Sequence, residues 1–314
     1  MTCPNTPPSL RRATALALTA ILVGCTTPAA KVTTGLGQHN ALYDGKSAVA
    51  FSTQLPVTSA TEAIQRGDLA VSSGDMDKGL FEYVRALDLE EGNPQALAKI
   101  GQIHFIRGNQ RLAEIAFRWS LQKDPRNQGA LTGLGILLLK RRDYAQAKQH
   151  LEQAVRIDDR LWHAHNALGI IADLEHDYAN AQHHYGQALA GAPGSASLLN
   201  NLGYSRYLAG NAKGAIAAFR EALLADPNYP LAWRNLALVY TREGRYTDAV
   251  DALAKVQDLP KAYNDVGYLA MIGGKLDNAE GLFDEAKRLS ADFYTLADTN
   301  QRRVAIMQGR AAAP

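Results

Sequence analysis

The histidines are the residues in this sequence whose type and grouping could bind a metal. Five of the chain's eight histidines lie between residues 163 and 184, and imidazole nitrogens are common ligands of Zn²⁺. No two of these five have the i, i+4 spacing that places two ligands on one helix face. His183 and His184 are adjacent, so their side chains would point in different directions on a helix. We therefore expect surface or core histidines and no metal site.

Motifs for catalysis are missing from the sequence, which has no nucleotide-binding glycine loop, no G-x-S-x-G elbow and no metalloprotease motif. The chain carries 33 basic and 31 acidic residues. Arg11 and Arg12, in a segment that we expect to be removed, account for the difference. This balance, without a basic block, argues against nucleic-acid binding. We expect a protein that is not an enzyme, uses no cofactor or small-molecule substrate, and binds protein partners.

The N-terminus has the features of an export signal. Arg11 and Arg12 precede an apolar run, residues 13–23, that is too short to span a bilayer as a helix. The run ends in Leu-Val-Gly-Cys, which resembles the lipobox of bacterial lipoproteins. The resemblance implies cleavage after residue 24, acylation of Cys25 and, because Thr26 follows instead of aspartate, delivery to the periplasmic face of the bacterial outer membrane. An ordinary secretory signal with a chance cysteine is the alternative interpretation.

Acylation would hold the protein at the membrane, since each buried acyl methylene contributes about 0.8 kcal/mol and several chains together anchor stably. The segment that follows is rich in Thr, Ala, Gly, Ser and Pro and has no sustained periodicity. We therefore expect residues 25–59 to be the lipidated cysteine and a flexible tether, in which residues 41–51 could form a short ordered piece.

The sequence contains a repeat, and the helices that it predicts would position any binding residues. A small residue recurs at Gly67, Gly101, Gly135, Gly169, Gly203, Ala237 and Gly267. Neighbouring members of this series are 34 residues apart, except the last two, which are 30 residues apart. Residues 202–227 contain L-G, A-x₃-F and a proline at the spacing of the tetratricopeptide repeat, and Tyr207 lies one residue beyond the position of the repeat's tyrosine. This resemblance implies an all-α, right-handed superhelical solenoid of about seven helix-turn-helix units, with a small residue where the two helices of each unit cross.

The repeat divides residues 60–293 into seven units and leaves residues 294–314 for a capping helix and a disordered tail. The expected units are 60–93, 94–127, 128–161, 162–195, 196–229, 230–259 and 260–293. Unit six is four residues short, which is about one helical turn. We expect its second helix to end near Gln257, before Pro260, and the superhelix to change direction there.

The family resemblance also implies a partner-binding groove, because the first helix of each unit lines the concave side of such an array. The residues expected to form this groove are Asn166, Asn200, Tyr204, Arg234, Leu238, Asn264, Tyr268 and Met271. An asparagine amide both donates and accepts, so the three asparagines could grip a peptide backbone whatever its side chains. Alternatively, asparagine is simply tolerated on an exposed helix face. Some family members clamp a C-terminal carboxylate with lysine and asparagine at the fifth and ninth positions, and this chain lacks that set.

A second candidate surface lies nearer the N-terminus. Phe105, Ile136 and Leu139 occupy first helices of units two and three and could form an exposed apolar patch of the kind that marks a partner site. The tether or the first unit could equally well fold over them.

Two segments carry a closer resemblance. Residues 55–87, around E-A-I-Q-R-G-D, and residues 262–271, A-Y-N-D-V-G-Y-L-A-M, are similar to the first and last units of TadD, the repeat lipoprotein family of tight-adherence (Flp) pilus loci. The resemblance implies a pilotin-like scaffold that holds secretin or pilus-assembly subunits. The alternative is an envelope adaptor that recruits peptidoglycan hydrolases or synthases through the same fold and anchor. A lipid-anchored enzyme with an unrecognised site is a weaker third interpretation.

Overall fold

The computed structural model describes residues 42–44, 57–290 and 294–310. All of these residues belong to one compact part of the chain, Gly35–Pro314. The expected signal peptide, Cys25 and most of the expected tether lie outside these residues, as does the C-terminal tail after residue 310.

The described residues form fifteen α-helices and no strands. Consecutive helices pack as seven antiparallel pairs followed by one more helix, which confirms the expected all-α repeat solenoid and its C-terminal cap. The helices are α1 (Ala60–Ser72), α2 (Met76–Leu89), α3 (Pro94–Ile106), α4 (Gln110–Lys123), α5 (Gln128–Lys140), α6 (Tyr144–Ile157), α7 (Trp162–Leu174), α8 (Tyr178–Gly191), α9 (Ala196–Leu208), α10 (Ala212–Ala225), α11 (Pro230–Arg242), α12 (Tyr246–Leu253), α13 (Leu259–Ile272), α14 (Leu276–Leu289) and α15 (Thr295–Met307).

Local sequence explains where the helices start. Asn93 precedes α3, and its side-chain oxygen accepts a hydrogen bond from the backbone N–H of Ala96 at 3.0 Å. Pro94 occupies the first turn, where its fixed φ suits a helix and its missing N–H costs nothing. Asn127 and Asp143 cap α5 and α6 in the same way. These caps satisfy N–H groups that have no partner inside their own helix.

A residue with positive φ ends the first helix of each unit and starts the turn to the second. Glycine holds this position in five units, for example Gly210 with φ of 80°. Units three and four instead carry Arg142, with φ of 65°, and His176, with φ of 60°. A side chain in this left-handed region costs roughly 1–2 kcal/mol, whereas glycine adopts it freely. These two adjacent units therefore hold backbone strain that the others avoid.

The core lies where the two helices of each unit cross. A side chain at Gly203 would have its Cβ only 2.7 Å from the ring of Phe219, and one at Gly135 would lie 2.6 Å from Leu151. Phe219 and Leu151 are fully buried, as are the alanines four residues before each of them. The small residue on the first helix thus makes room for the large one on the second, as the repeat pattern predicts.

Unit six departs from the others as expected, although its second helix is shorter than predicted. Helix α12 has 8 residues and ends at Leu253, whereas α10 has 14. The prediction placed the end near Gln257. The reason for the difference is that Asp258 is extended and caps α13, accepting from the N–H of Lys261 at 2.9 Å. Residues 254–257 therefore form the turn, and α13 begins at Leu259, one residue before the expected boundary.

We predict opposite stability effects for two Gly→Ala changes inside helices. Gly203→Ala should destabilise the protein by about 1–3 kcal/mol, because the new methyl group overlaps the Phe219 ring. Gly186→Ala is the matched control, since nothing lies within 4 Å of a Cβ there. It should stabilise by about 0.5–1 kcal/mol through helix propensity. Urea unfolding followed by circular dichroism measures both. Stabilisation by Gly203→Ala would contradict close packing at the crossing.

Candidate functional site

The expected groove residues divide into exposed and buried sets. Tyr204 and Tyr268 are 40% and 42% exposed, and Arg234 is exposed as well. Leu238 is half-buried, and Met271 is 5% exposed. The tyrosines share the ninth position of units five and seven, so they project from equivalent faces of α9 and α13. Among the expected groove residues, those most open to a partner are therefore two aromatic side chains and one cation.

The three asparagines expected to bind a peptide backbone form hydrogen bonds between repeats. Asn166 Oδ1 accepts from Asn201 Nδ2 at 2.9 Å, and Asn200 Oδ1 accepts from Asn235 Nδ2 at 2.8 Å. Asn264 Oδ1 accepts from Nδ2 of Asn300 in α15 at 3.1 Å. Asn200 and Asn264 are only 5% and 2% exposed. Each of these amide oxygens is thus already used within the fold, where it joins a first helix to the next first helix or, for Asn264, to the capping helix.

Sequence reasoning missed the donors of these bonds. Asn201 and Asn235 occupy the sixth position of units five and six, next to the expected groove residues Asn200 and Arg234, and were not among the predicted binding residues. Asn300 lies in the capping helix. A signal was present, since the bonds join residues 35 or 36 positions apart, close to the length of one repeat plus one residue.

A cleft opens beside the groove, between the C-terminal ends of α9, α11 and α13. It has a volume of about 360 Å³ and is lined by residues that include Tyr207, Leu238, Arg242, Leu269, Ile272 and Lys275. Of these, the sequence analysis placed only Leu238 in the binding surface. The sequence analysis assigned Tyr207 to the repeat pattern and did not predict it as a binding residue. Arg242 and Lys275 belong to no sequence motif that would predict a binding site.

The expected apolar patch in units two and three is partly covered by its own neighbours. Phe105, Ile136 and Leu139 are half-buried and pack against a core cluster that includes Leu134 and Leu138. The Lys140 ammonium lies 5.6 Å from the Phe105 ring centroid. Only part of each side chain remains open to a partner.

Three residues of the expected tether are docked on units one and two. Leu42 is buried in the core cluster of unit one, and its carbonyl accepts from His104 Nε2 at 2.8 Å. Asp44 forms an ion pair with Arg107 at 2.6 Å and accepts a hydrogen bond from Asn109. Leu42 packs in a different core cluster from the one that Phe105, Ile136 and Leu139 contact.

Two of the clustered histidines meet across α7 and α8. His165 Nε2 lies 3.0 Å from the backbone oxygen of Asp159, to which it donates. His165 Nδ1 therefore presents a lone pair to His184 Nδ1, 3.1 Å away. Burial, with the nearby His165, His183 and Lys148, lowers the pKa of His184 to about 4. Burial also lowers the pKa of His165. The pair is accordingly neutral at pH 7, with His184 Nδ1–H donating to His165 Nδ1.

The described residues contain no group of three or more His, Cys, Asp or Glu side chains placed to hold a metal ion. The sequence analysis did not foresee the His165–His184 contact, because it joins two helices and produces no spacing signal within one helix.

We predict that replacing Asn200 by alanine destabilises the array. The change removes the acceptor of the Asn235 amide at a site that is 5% exposed, at a cost of about 1–3 kcal/mol. Asn228→Ala is the matched control, since Asn228 lies in an exposed turn and should change stability by less than about 0.5 kcal/mol. Chemical unfolding of both variants measures the difference, and equal effects would argue against a structural bond.

We predict that acid weakens unit four through the histidine pair. The folded-state pKa of His184 lies below its ordinary value of 6.5, so the unfolded chain binds more protons between about pH 4 and 6.5. The stability contributed by the neutral pair is present above this window and is lost as the pH falls through it, by about 1–2 kcal/mol.

Amide hydrogen exchange of α7 and α8 at pH 7.5 and 5, corrected for intrinsic exchange rates, measures this loss. His184→Gln should flatten the pH dependence, while His183→Gln, on the exposed side of the same helix, should largely retain it. An unchanged dependence in His184→Gln would assign the effect to other groups.

Comparison with known protein families identifies the same type of repeat as the consecutive helix pairs of the structure. Tetratricopeptide repeat families match residues 129–160, and residues 167–230 together with 209–262. No curated protein matches the sequence.

Several solved structures are similar to the array. PilW, described as a widely conserved type IV pilus biogenesis factor, is 17% identical with a TM-score of 0.57, covering 63% of this chain and 92% of PilW. PilF of Pseudomonas aeruginosa is 21% identical with a TM-score of 0.52, covering 67% of this chain and 97% of PilF. A tetratricopeptide repeat protein from Parabacteroides merdae ATCC 43184 is 16% identical with a TM-score of 0.52, covering 78% and 98%. At these identities the likeness concerns the fold alone.

No helix among the described residues has the length and apolar character needed to cross a membrane. The helix pairs, the small residues at their crossings and the family matches together lead to one identification. The chain carries tetratricopeptide repeats, and its described helices form a tetratricopeptide-repeat solenoid.

Proposed function

We propose that this protein is a lipid-anchored scaffold that holds subunits of a pilus or secretion system at the outer membrane. Tetratricopeptide repeats typically act as non-catalytic scaffolds that bind protein partners. The observation that carries the proposal is the pair of exposed tyrosines, Tyr204 and Tyr268, on the first helices of units five and seven. Exposed aromatic side chains on a rigid face are the usual anchors of a protein interface.

The fold supplies that rigidity. The Asn200–Asn235 bond joins the first helices of units five and six, and the Asn264–Asn300 bond joins the first helix of unit seven to the capping helix, so the face that carries the tyrosines is fixed before a partner arrives. A preformed face spends less free energy on ordering its side chains when it binds.

The choice of a pilus or secretion system has two supports. The segments at residues 55–87 and 262–271 resemble TadD, and PilW is described as a pilus biogenesis factor. The proposed anchor, an acylated Cys25, would concentrate the scaffold and its partners at one membrane surface. The role would be pilotin-like: the array holds a secretin subunit while the acyl chains keep the complex at the outer membrane.

The test is a cross-linked pull-down of tagged, full-length protein from its own envelope, compared with Cys25→Ala. We expect secretin or pilus-platform subunits to be captured by the acylated form and lost with Cys25→Ala. Capture of murein hydrolases or synthases instead would favour the envelope-adaptor alternative. Equal capture by Cys25→Ala would contradict a role for the anchor.

A second comparison tests the binding face itself. Tyr204→Ala combined with Tyr268→Ala should reduce capture by at least about tenfold. Trp119→Ala is the matched control, because Trp119 is also 40% exposed but lies on α4, the second helix of unit two. Loss of capture in the control and retention in the tyrosine variant would move the binding site away from the proposed face.

A further inference from the structure

The cleft between α9, α11 and α13 has an apolar floor and an open mouth. Leu238, Leu269 and Ala270 line it, and Ile272 at its edge is 61% exposed. Its volume of about 360 Å³ lies within the range of sites that enclose small ligands, about 300–1,000 Å³. An apolar side chain entering the cleft would remove this surface, including most of Ile272, from water.

The charged groups of the cleft all have one sign. Arg242 and Lys275 are its only charged lining residues. Neither forms an ion pair with a carboxylate among the described residues. Arg242 is held in place by Tyr207, since Nη1 donates to the tyrosine hydroxyl at 2.9 Å and the guanidinium lies 5.3 Å from the ring centroid. A guanidinium has five N–H donors, so Arg242 can bind a further acceptor without leaving Tyr207.

Several backbone carbonyls at the helix ends beside the cleft already have hydrogen-bond donors. The last carbonyls of α11 already accept hydrogen bonds, Tyr240 from Arg245 N–H and Thr241 from Gly244 N–H. The last carbonyls of α13 are satisfied in the same way, Ala270 by Lys275 N–H and Met271 by Gly274 N–H. These four carbonyls are therefore occupied, and the charged groups that line the cleft are the side chains of Arg242 and Lys275.

We propose that this cleft binds a segment of the partner protein in which an aspartate or glutamate lies next to a large apolar residue. The apolar side chain packs against Leu238 and Leu269, and the carboxylate is held by Arg242 and Lys275. Charge complementarity selects the acidic residue, and the apolar floor selects its neighbour. The inference rests on the proposed function, because the occupant is the partner that the scaffold holds.

This site is distinct from the carboxylate clamp of some family members. Its cations come from the last turn of α11 and from the residue that precedes α14, not from the fifth position of a first helix. It also lies at the edge of the array face that carries Tyr204 and Tyr268, so one partner segment could contact both.

The direct test uses purified full-length protein and fluorescent peptides that share one length and one apolar centre, Leu-Phe. One set has aspartate and glutamate flanks, a second has lysine flanks, and a third keeps the acidic flanks but replaces Leu-Phe by Ser-Ser. We expect the acidic, apolar set to bind at least about tenfold more tightly than either other set. Equal binding of the lysine set, or no binding of the acidic, apolar set, would overturn the inference.

Charge reversal locates the peptide. Lys275→Glu and Arg242→Glu should each weaken binding of the acidic, apolar peptides by about tenfold. Lys255→Glu is the matched control, since Lys255 is exposed and lies in the turn after α12, outside this cleft. It should leave binding unchanged. Equal losses in all three variants would indicate a general charge effect and not a site.

The same variants separate this inference from the proposed function. If the envelope pull-down still captures its subunits with Lys275→Glu and Arg242→Glu, the cleft is not the docking site and the scaffold proposal stands. If wild-type protein captures no pilus, secretion or cell-wall subunit, the scaffold proposal fails, and the peptide measurements decide the cleft alone.

Discussion

The structure depends on the space between two helices at the point where they cross. In unit five, the absence of a side chain at Gly203 allows the Phe219 ring to enter, and the Ala215 side chain on the opposite helix is small enough to keep the backbones close. The same arrangement recurs with Gly135 and Leu151 in unit three. Close packing at the crossing fixes the angle within a unit, and the repeat then transmits this geometry to the next unit.

The first helix of a unit has two faces with different roles. One face supplies the crossing and the bonds to neighbouring units, as Asn200 does through Asn235. Another face, with Tyr204 and Tyr268, stays open to solvent. This division explains why residues one position apart differ in role, since successive side chains on a helix point about 100° apart.

The sequence predicts the parts of this fold that follow from periodicity. The recurring small residues locate seven helix pairs, and Pro260 together with the shorter repeat locates the break in unit six. The end of α12 is four residues earlier than expected, because the extended cap at Asp258 needs a turn before it. The site is less predictable. The His165–His184 contact and the meeting of Tyr207, Arg242 and Lys275 join residues from different helices, and such contacts depend on three-dimensional packing that a single sequence does not display.

The left-handed residues Arg142 and His176 have a consequence for an array that is pulled from its ends. In a solenoid the units carry tension in series, because each packs only on its neighbours. Units three and four hold strained backbone at these two residues, and unit four also contains the acid-sensitive histidine pair. This strain lowers the free energy needed to open units three and four. A unit of 34 residues that opened would release up to about 110 Å of extended chain, so the protein could lengthen under force while the helices that carry Tyr204 and Tyr268 stayed folded.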